Sequence, residues 1–393
     1  MTRAVDLVLV ANARIPSQRA QTLQVVQMAA AFERAGAHVA LFHAKRRPAV
    51  ELPPGQDAWR WYGVELAEKP VLEPIPCVDW IDRVPRVLQY VPARLQEQSF
   101  GKNAARMVLK SHPVARVLTR EVETAHLLAK KKRPNVFLEL HRVPGGRLRR
   151  RALKASARAC AGIVAISNGV KEDLVALGID AQRIVVEHDG FEPERFAHLP
   201  TKAKARAELG LPASVPLVVY TGGLLEWKGV DLLVEAARRL PDAYVVIAGG
   251  MDADVKRLRQ KVGGLPNVRI DGFQAPERVP LYLAAGDVGV VPNRSKPAIS
   301  ARYTSPLKVF ESMAAGLPLV ASDLPSLREL LTHERDALLV PADDAGALAS
   351  ALQRLLADPH LQKRLAAAFS ARAPEHAWIA RARRLLAWMD EER

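Results

Sequence analysis

The chain has 393 residues, 49% of them hydrophobic and 25% charged, which allows two domains with substantial cores and excludes a disordered chain. No apolar run reaches the roughly 18 residues of a membrane span, and Cys77 and Cys160 are too few for a disulfide framework or a metal knuckle, which fits a reducing cytosol. The charge is uneven: residues 81–160 hold 19 Lys and Arg against 5 Asp and Glu, a net of +14, whereas the other 313 residues hold 38 against 37. A block this asymmetric points to an anionic surface, lipid headgroups ahead of nucleic acid; the alternative is a solvated helix face.

The N-terminus runs directly into a strand pattern, Val5 to Val10, with no signal-peptide pattern before it. A loop follows, in which Asn12, Arg14, Ser17, Gln18 and Arg19 lie at the strand's C-terminal edge, where open parallel sheets bind ligands. A helix from about Leu23 to Arg34 and a strand from His38 to Phe42 complete a β-loop-α-β unit that lacks the glycine-rich dinucleotide fingerprint. Residues 45–80, rich in Pro and Trp, read as an irregular excursion. Residues 84–112 read as a basic helical region with Val87, Leu88, Val91, Leu95, Phe100, Met107, Val108 and Leu109 as its apolar positions, either core-facing or lying on a membrane.

Alternation then resumes. Strands are expected at Val114 to Leu118, Val136 to Leu140, Ile163 to Ile166 and Ile184 to Glu187, with helices at 121–129 and 168–177 and the basic run R-L-R-R-R at 147–151. Arg120 ends one of these strands and His141 another. A neutral imidazole at a strand's C-terminal edge suits a general base, and equally a hydrogen-bonded structural residue. Residues 191–214 read as a linker.

The second half repeats the pattern. Strands are expected at Leu217 to Tyr220, Tyr244 to Ala248, Val268 to Ile270, Val288 to Val291, Leu319 to Ala321 and Ala337 to Val340. The loop T-G-G-L-L-E-W-K-G follows the first of them. Gly222 and Gly223 let backbone approach a ligand closely, and Lys228 can reach a diphosphate as a point charge. Asp252 and Asp254 read as helix-start residues rather than metal ligands. Tyr303 to Asp323 reads as loop, helix, turn and strand: Thr304 or Ser305 caps, Pro306 opens the helix, and Leu307, Phe310, Met313 and Ala314 form its apolar face. A helix start with free N–H groups, Lys308 in its first turn and Glu311 three residues on suit a ligand with phosphates at one end and hydroxyls at the other. The alternative is an amphipathic helix whose Lys308 and Glu311 form a surface pair. A final helix is expected from about Pro374 to Glu391.

Y-T-G-G-L-L-E-W-K-G-V-D-L-L (220–233), S-P-L-K-V-F-E-S-M-A-A-G-L-P-L-V-A-S-D-L-P-S-L-R-E-L (305–330) and H-D-G-F-E-P-E-R-F (188–196) resemble glycosyltransferase family 4, retaining GT-B enzymes that use nucleotide-sugar donors. The resemblance covers almost the whole chain. It implies an α/β fold of two Rossmann-like, doubly wound parallel-sheet domains facing a cleft: residues 1–195 for the acceptor, 196–373 for the nucleotide sugar, and 374–393 as a helix returning to the first domain. It implies that Glu311 accepts hydrogen bonds from the donor ribose, that Lys228 and the helix start at Leu307-Lys308 hold the diphosphate, and that His141 lies near the transferred sugar.

The donor-site residues expected on this basis are Gly222, Gly223, Lys228, Arg294, Tyr303, Thr304, Ser305, Leu307, Lys308 and Glu311; the acceptor-site residues are Asn12, Arg14, Gln18 and Arg120; His141 and Glu311 are the expected catalytic pair. No metal and no cofactor beyond the nucleoside-diphosphate sugar as co-substrate is expected, since the lysines and backbone N–H groups can meet the leaving group's charge. The sequence departs from the family pattern twice. The first of two glutamates spaced eight apart is replaced by Tyr303, and the arginine after the upstream loop's first glycine is replaced by Gly223, leaving Arg294 or Arg302 to supply that charge. Expected partners are a nucleotide sugar, a glycan or lipid-linked acceptor, and an anionic membrane surface met through residues 81–160, at the cytoplasmic face; nucleic acid is not expected. A nucleotide-binding pseudoenzyme of the same fold is the alternative function, and a nucleic-acid-binding protein a more distant one.

Overall fold

A computed structural model describes residues 4–392, so Met1 to Arg3, the start of the N-terminal segment read above, and Arg393 lie outside the described residues. The chain divides into two compact units: residues up to 188 without 167–169, rejoined from Trp378 onward, and residues 189–377 with 167–169. Each is built on one parallel sheet.

The first sheet has seven strands in the order β3-β2-β1-β4-β5-β6-β7. They are β1 (Leu7–Ala11), β2 (Val39–Lys45), β3 (Val71–Pro76), β4 (Arg116–Thr119), β5 (Val136–Leu140), β6 (Gly162–Ala165) and β7 (Ile184–Val186). β1, a continuous apolar run, is buried along its whole length, as in a doubly covered sheet, and so is β5, which carries one polar residue, Glu139. The Pro-rich stretch 45–80 is not wholly irregular, because β3 pairs with β2 from Ala40↔Val71 to Lys45↔Pro76. Pro74 and Pro76 are tolerated there because β3 is an edge strand, with no second neighbour to miss their N–H groups. The basic region contains a 3-10 turn, Arg86–Leu88, and an α-helix, Tyr90–Ser111, which buries Phe100 and Val108 but leaves Val91 and Leu95, with the preceding Val87 and Leu88, exposed.

The second sheet has six strands in the order β10-β9-β8-β11-β12-β13. These are β8 (Leu217–Thr221), β9 (Tyr244–Ala248), β10 (Val268–Gly272), β11 (Val288–Val291), β12 (Leu319–Ser322) and β13 (Leu338–Val340). Residues 191–214 are not a linker. Lys202–Leu209 is a helix whose cap, Thr201, accepts at its hydroxyl from the Lys204 N–H, and Ala205, Leu209 and Leu211 join the core of the second unit. The helix reads as polar in sequence because alanine fills one of its buried positions. Another is Arg206, 4% exposed, which donates to the Ala213, Val215 and Ala285 carbonyls and pairs with Asp287 at 2.7 Å.

Trp378–Glu391 forms the last helix and packs against Ala20–Arg34 in the first unit. Ala382, Leu385 and Met389 are fully buried, and the Trp388 ring lies 5.4 Å from that of Phe137. Gly162 is required beneath it, since a Cβ there would fall 2.5 Å from the Trp388 ring. Truncation of a buried leucine costs about 2–5 kcal/mol. Leu385→Ala is therefore expected to lower the stability of the first unit by about that amount while leaving the second unit's transition in place; two transitions in a urea titration, with only one displaced, would verify it.

Candidate functional site

Two clusters of polar side chains form at strand ends, one in each unit. In the second unit, β8 ends at Thr221 and the chain turns through Gly222 and Gly223. Gly222 has φ +121°, a conformation that favours glycine, and a Cβ there would stand 3.4 Å from Lys308 Cε and 3.5 Å from its Nζ. A Cβ on Gly223 would stand 3.6 Å from Lys228 Nζ. The two lysines thus converge on bare backbone.

Lys308 lies in the first turn of the helix Leu307–Ala314 and is 7% exposed. Among the described residues its Nζ has no hydrogen-bond partner; it sits 3.6 Å from the centroid of the buried Tyr220 ring, a cation–π position. The Tyr220 hydroxyl donates to the Gly223 carbonyl at 2.7 Å, which ties that ring to the glycine turn. Burial, and then Lys228, drive the Lys308 ammonium well below the ordinary lysine value, with Glu311 opposing. Lys228 is lowered by burial to about 8, again with Glu311 opposing.

Glu311 is 7% exposed, so the surface-pair reading of Lys308 and Glu311 does not hold: both belong to the buried side of the helix. Burial pushes the Glu311 carboxyl up, and Arg195, Lys308 and Lys228 pull it back. Arg195 Nη2 stands 3.7 Å from Glu311 Oε1. Arg195 was not legible from its own position; its signal is the R-F that ends the 188–196 motif.

The helix start differs from expectation in one respect. Its cap is Pro306, with no side-chain capping bond, and Ser305 Oγ instead accepts from the Asp189 N–H at 2.8 Å. Thr304 is half-buried, and so is Tyr303, whose ring carries the Arg302 guanidinium at 5.7 Å. Arg294 is committed elsewhere, to Asp231 at 2.5 Å and Asp343 at 3.3 Å. Two lysines on open backbone, a helix start and a carboxylate form a recess suited to a diphosphate with a hydroxyl-bearing neighbour.

In the first unit, Asn12 follows β1. Its N–H donates to Glu121 Oε1 at 2.9 Å, and its side chain exchanges hydrogen bonds with Gln96 at 2.8 and 2.6 Å. Burial raises the Glu121 carboxyl to about 7, the Asn12 N–H opposing. Arg14 pairs with Asp82, and Gln18 is exposed. Arg120 follows β4, donates to Gln24 Oε1 and stands 3.8 Å from Glu139. His141 follows β5, its Nε2 2.7 Å from Glu139 Oε1. The sequence reading missed Glu139, Glu121, Gln24 and Gln96; only Glu139 carried a usable signal, the E-L-H spacing that puts residues 139 and 141 on one side of a strand.

Residues 21–195 match the model of Glycosyltransferase Family 4, and residues 215–358 that of Glycosyl transferases group 1. The D-inositol 3-phosphate glycosyltransferase of Xylanimonas cellulosilytica is 30% identical over 270 residues, 65% of this chain and 63% of the relative. The amylovoran biosynthesis glycosyltransferase AmsK of Erwinia amylovora is 32% identical over 200 residues, 49% of this chain and 47% of the relative. The matches therefore span about half to just under two thirds of these relatives. The sucrose-phosphate synthase of Thermosynechococcus elongatus superposes with a TM-score of 0.76 at 22% identity, over 99% of each chain. HepE of Anabaena in complex with UDP superposes with a TM-score of 0.75 at 17% identity, over 99% of this chain and 100% of that one.

An unpartnered buried ammonium costs stability. Because the folded-state value of Lys308 lies below the unfolded 10.5, the cost is full below the folded value and disappears as pH rises through 10.5. Lys308→Met is accordingly expected to melt higher than the parent chain at pH 7, by about 2–4 °C for each kcal/mol recovered, with the gain shrinking toward pH 10.5. Calorimetric melting at the two pH values tests this, and an unchanged or lower melting temperature at pH 7 would contradict it.

Proposed function

The chain belongs to the GT-B glycosyltransferases of the family 4 type, and from that premise we propose that it moves a glycosyl group from a nucleoside-diphosphate sugar to a glycan or lipid-linked acceptor, with retention of configuration and without a metal ion. The observation that carries this reading is the Lys308 ammonium, buried beside Gly222 and Lys228 with no hydrogen-bond partner among the described residues. A buried ammonium without a hydrogen-bond acceptor, held near Glu311 but not bonded to it, is poised for an anion that arrives with a ligand.

On this reading the second unit holds the donor. Lys228, Lys308 and the N–H groups at the helix start take the diphosphate, and Glu311 accepts from the ribose hydroxyls. As the anomeric C–O bond breaks, its electron pair passes to the diphosphate, whose growing charge these preorganised donors stabilise. The acceptor oxygen bonds to the anomeric carbon on the same face and its proton passes to the departing phosphate. The first unit presents the acceptor through Asn12, Arg14, Gln18 and Arg120, and His141 orients the transferred sugar. Arg294 would join the diphosphate only by leaving Asp231 and Asp343.

The proposed acceptor side extends to an anionic membrane. Val87, Leu88, Tyr90 and Val91 stand exposed before and within the first turn of Tyr90–Ser111, and Leu148 within the first turn of Arg147–Ala159. Arg149 stands 3.5 Å from Glu97, which also pairs with Arg94, so the start of Arg147–Ala159 lies beside the second turn of Tyr90–Ser111. Apolar side chains rimmed by arginines suit a bilayer with anionic headgroups. Among the described residues no helix is long and apolar enough to cross a membrane, so binding would be to its surface.

Melting with UDP, GDP, ADP, TDP and CDP is expected to single out one diphosphate, which at about 100 times its Kd adds about 2.7 kcal/mol. Glu311→Ala should abolish the effect, and His141→Ala should keep it while losing transfer; no shift with any diphosphate would overturn the donor site, and binding without transfer in the parent chain would favour the pseudoenzyme. Replacing Arg147, Arg150 and Arg151 with Gln is expected to weaken binding to phosphatidylglycerol vesicles by about tenfold or more. Undiminished sedimentation with those vesicles would refute the membrane surface.

A further inference from the structure

We propose that Glu139 is the positioning residue for His141, and that Arg381 of the last helix braces it; this rests on the role given above to His141. Glu139 and His141 are two residues apart at the end of β5, so their side chains leave the same face of the sheet. That face is covered in part by Ala20–Arg34 and Trp378–Glu391, which pack against each other. Each contributes to Glu139. Gln24 Nε2 lies 3.4 Å from Oε1, and Arg381 Nη2 lies 3.3 Å from Oε2; Arg120, at the end of β4, approaches Oε1 at 3.8 Å.

Glu139 is 2% exposed and Arg381 1% exposed. A carboxylate this buried is ionised only if its surroundings compensate. Burial alone would raise it, but Arg381, His141 and Arg120 together hold it well below the usual carboxylate range. An ionised carboxylate only accepts hydrogen bonds, so the contact at 2.7 Å requires His141 to donate from Nε2. In the neutral ring the lone pair is then on Nδ1, and the tautomer is fixed by the protein rather than by the ligand.

The brace has its own support. Arg381 Nη2 also donates to the Glu187 carbonyl at 3.2 Å, and the Glu187 carboxylate takes Arg384 through two contacts of 2.8 Å. The charged groups that bear on His141 include Glu139 on its own strand, Arg120 from β4, Arg381 from the last helix with Glu187 and Arg384 behind it, and Glu121, which shares Arg120. A purely structural ion pair between Glu139 and Arg381 would not need the imidazole at all. The Oε1 contact to the ring is what gives the pair a bearing on transfer.

The test is Glu139→Gln, followed by ring NMR titration of the histidines, with the His141 signal assigned from His141→Asn. Loss of the carboxylate charge is expected to lower the His141 pKa by about one to three units, to reduce kcat about tenfold or more, and to leave the diphosphate-induced melting shift unchanged, because Lys308 and Glu311 belong to the other unit. An unmoved titration with undiminished kcat would overturn the positioning role while leaving His141 to be judged by His141→Ala. Full activity of His141→Ala would instead remove the role of His141, with the titration still deciding whether Glu139 holds the ring. Should Glu139→Gln fail to fold, Glu139→Asp keeps the charge for Arg381 but shortens the reach to the ring; it should fold and show the same loss in kcat, and full activity in that variant would overturn the proposal.

Discussion

A parallel sheet sends every strand in the same direction, so each chain return must cross a helix and every strand's C-terminal end opens on one edge. In the first unit that edge gathers Asn12 after β1, Arg120 after β4 and His141 after β5, residues up to 129 positions apart in the chain. In the second unit it gathers Gly222 and Lys228 after β8 and the 303–308 segment, which follows β11. Side chains of unlike type meet there because every strand hands the chain on at that same edge.

What the edge holds in the second unit is costly by the ordinary measures of stability. Lys308 and Lys228 share one recess, Glu311 is buried near them, and burial pushes both lysines and the carboxylate toward their neutral forms. Tyr220 lends its ring face and Arg195 its charge, yet among the described residues the Lys308 ammonium ends without a hydrogen-bond acceptor. Such local frustration is expected where a ligand completes the electrostatics, and the apolar clusters on both sides of the sheet provide the rigidity that keeps the recess from relaxing.

The first unit solves a related problem in the opposite way. Its buried carboxylate, Glu139, is surrounded by Arg381, Arg120, Gln24 and His141, drawn from three elements besides its own strand. The last helix matters here as more than packing: it closes the core over Leu385 and Met389 and delivers Arg381 to the same carboxylate. Glu139 is met by charges from its own unit, whereas the Lys308 ammonium, among the described residues, meets no hydrogen-bond acceptor.

The alternation of strands and helices was legible in the chain because strands buried on both faces are continuous apolar runs and amphipathic helices repeat every three to four residues. The 303–323 stretch disclosed its helix and its buried strand for the same local reasons, but not the burial of Lys308 and Glu311. Three features were not legible. The edge strand Val71–Pro76 was hidden by prolines that only an unpaired side excuses. The helix Lys202–Leu209 was hidden because its buried positions are alanine, leucine and an arginine satisfied by carbonyls distant in sequence. Ser305 was expected as a cap by local rules, but tertiary contact made it the acceptor of Asp189. By itself the sequence determined most of the strands and helices, apart from Val71–Pro76 and Lys202–Leu209, and which residues stand at the ends of those strands, since these depend on neighbours a few positions away. Only the tertiary structure decided that Lys308 lies over Tyr220, that Glu311 faces Arg195 and that Arg381 reaches Glu139 across 242 positions, because burial and charge at those sites are set by side chains that no local pattern brings together.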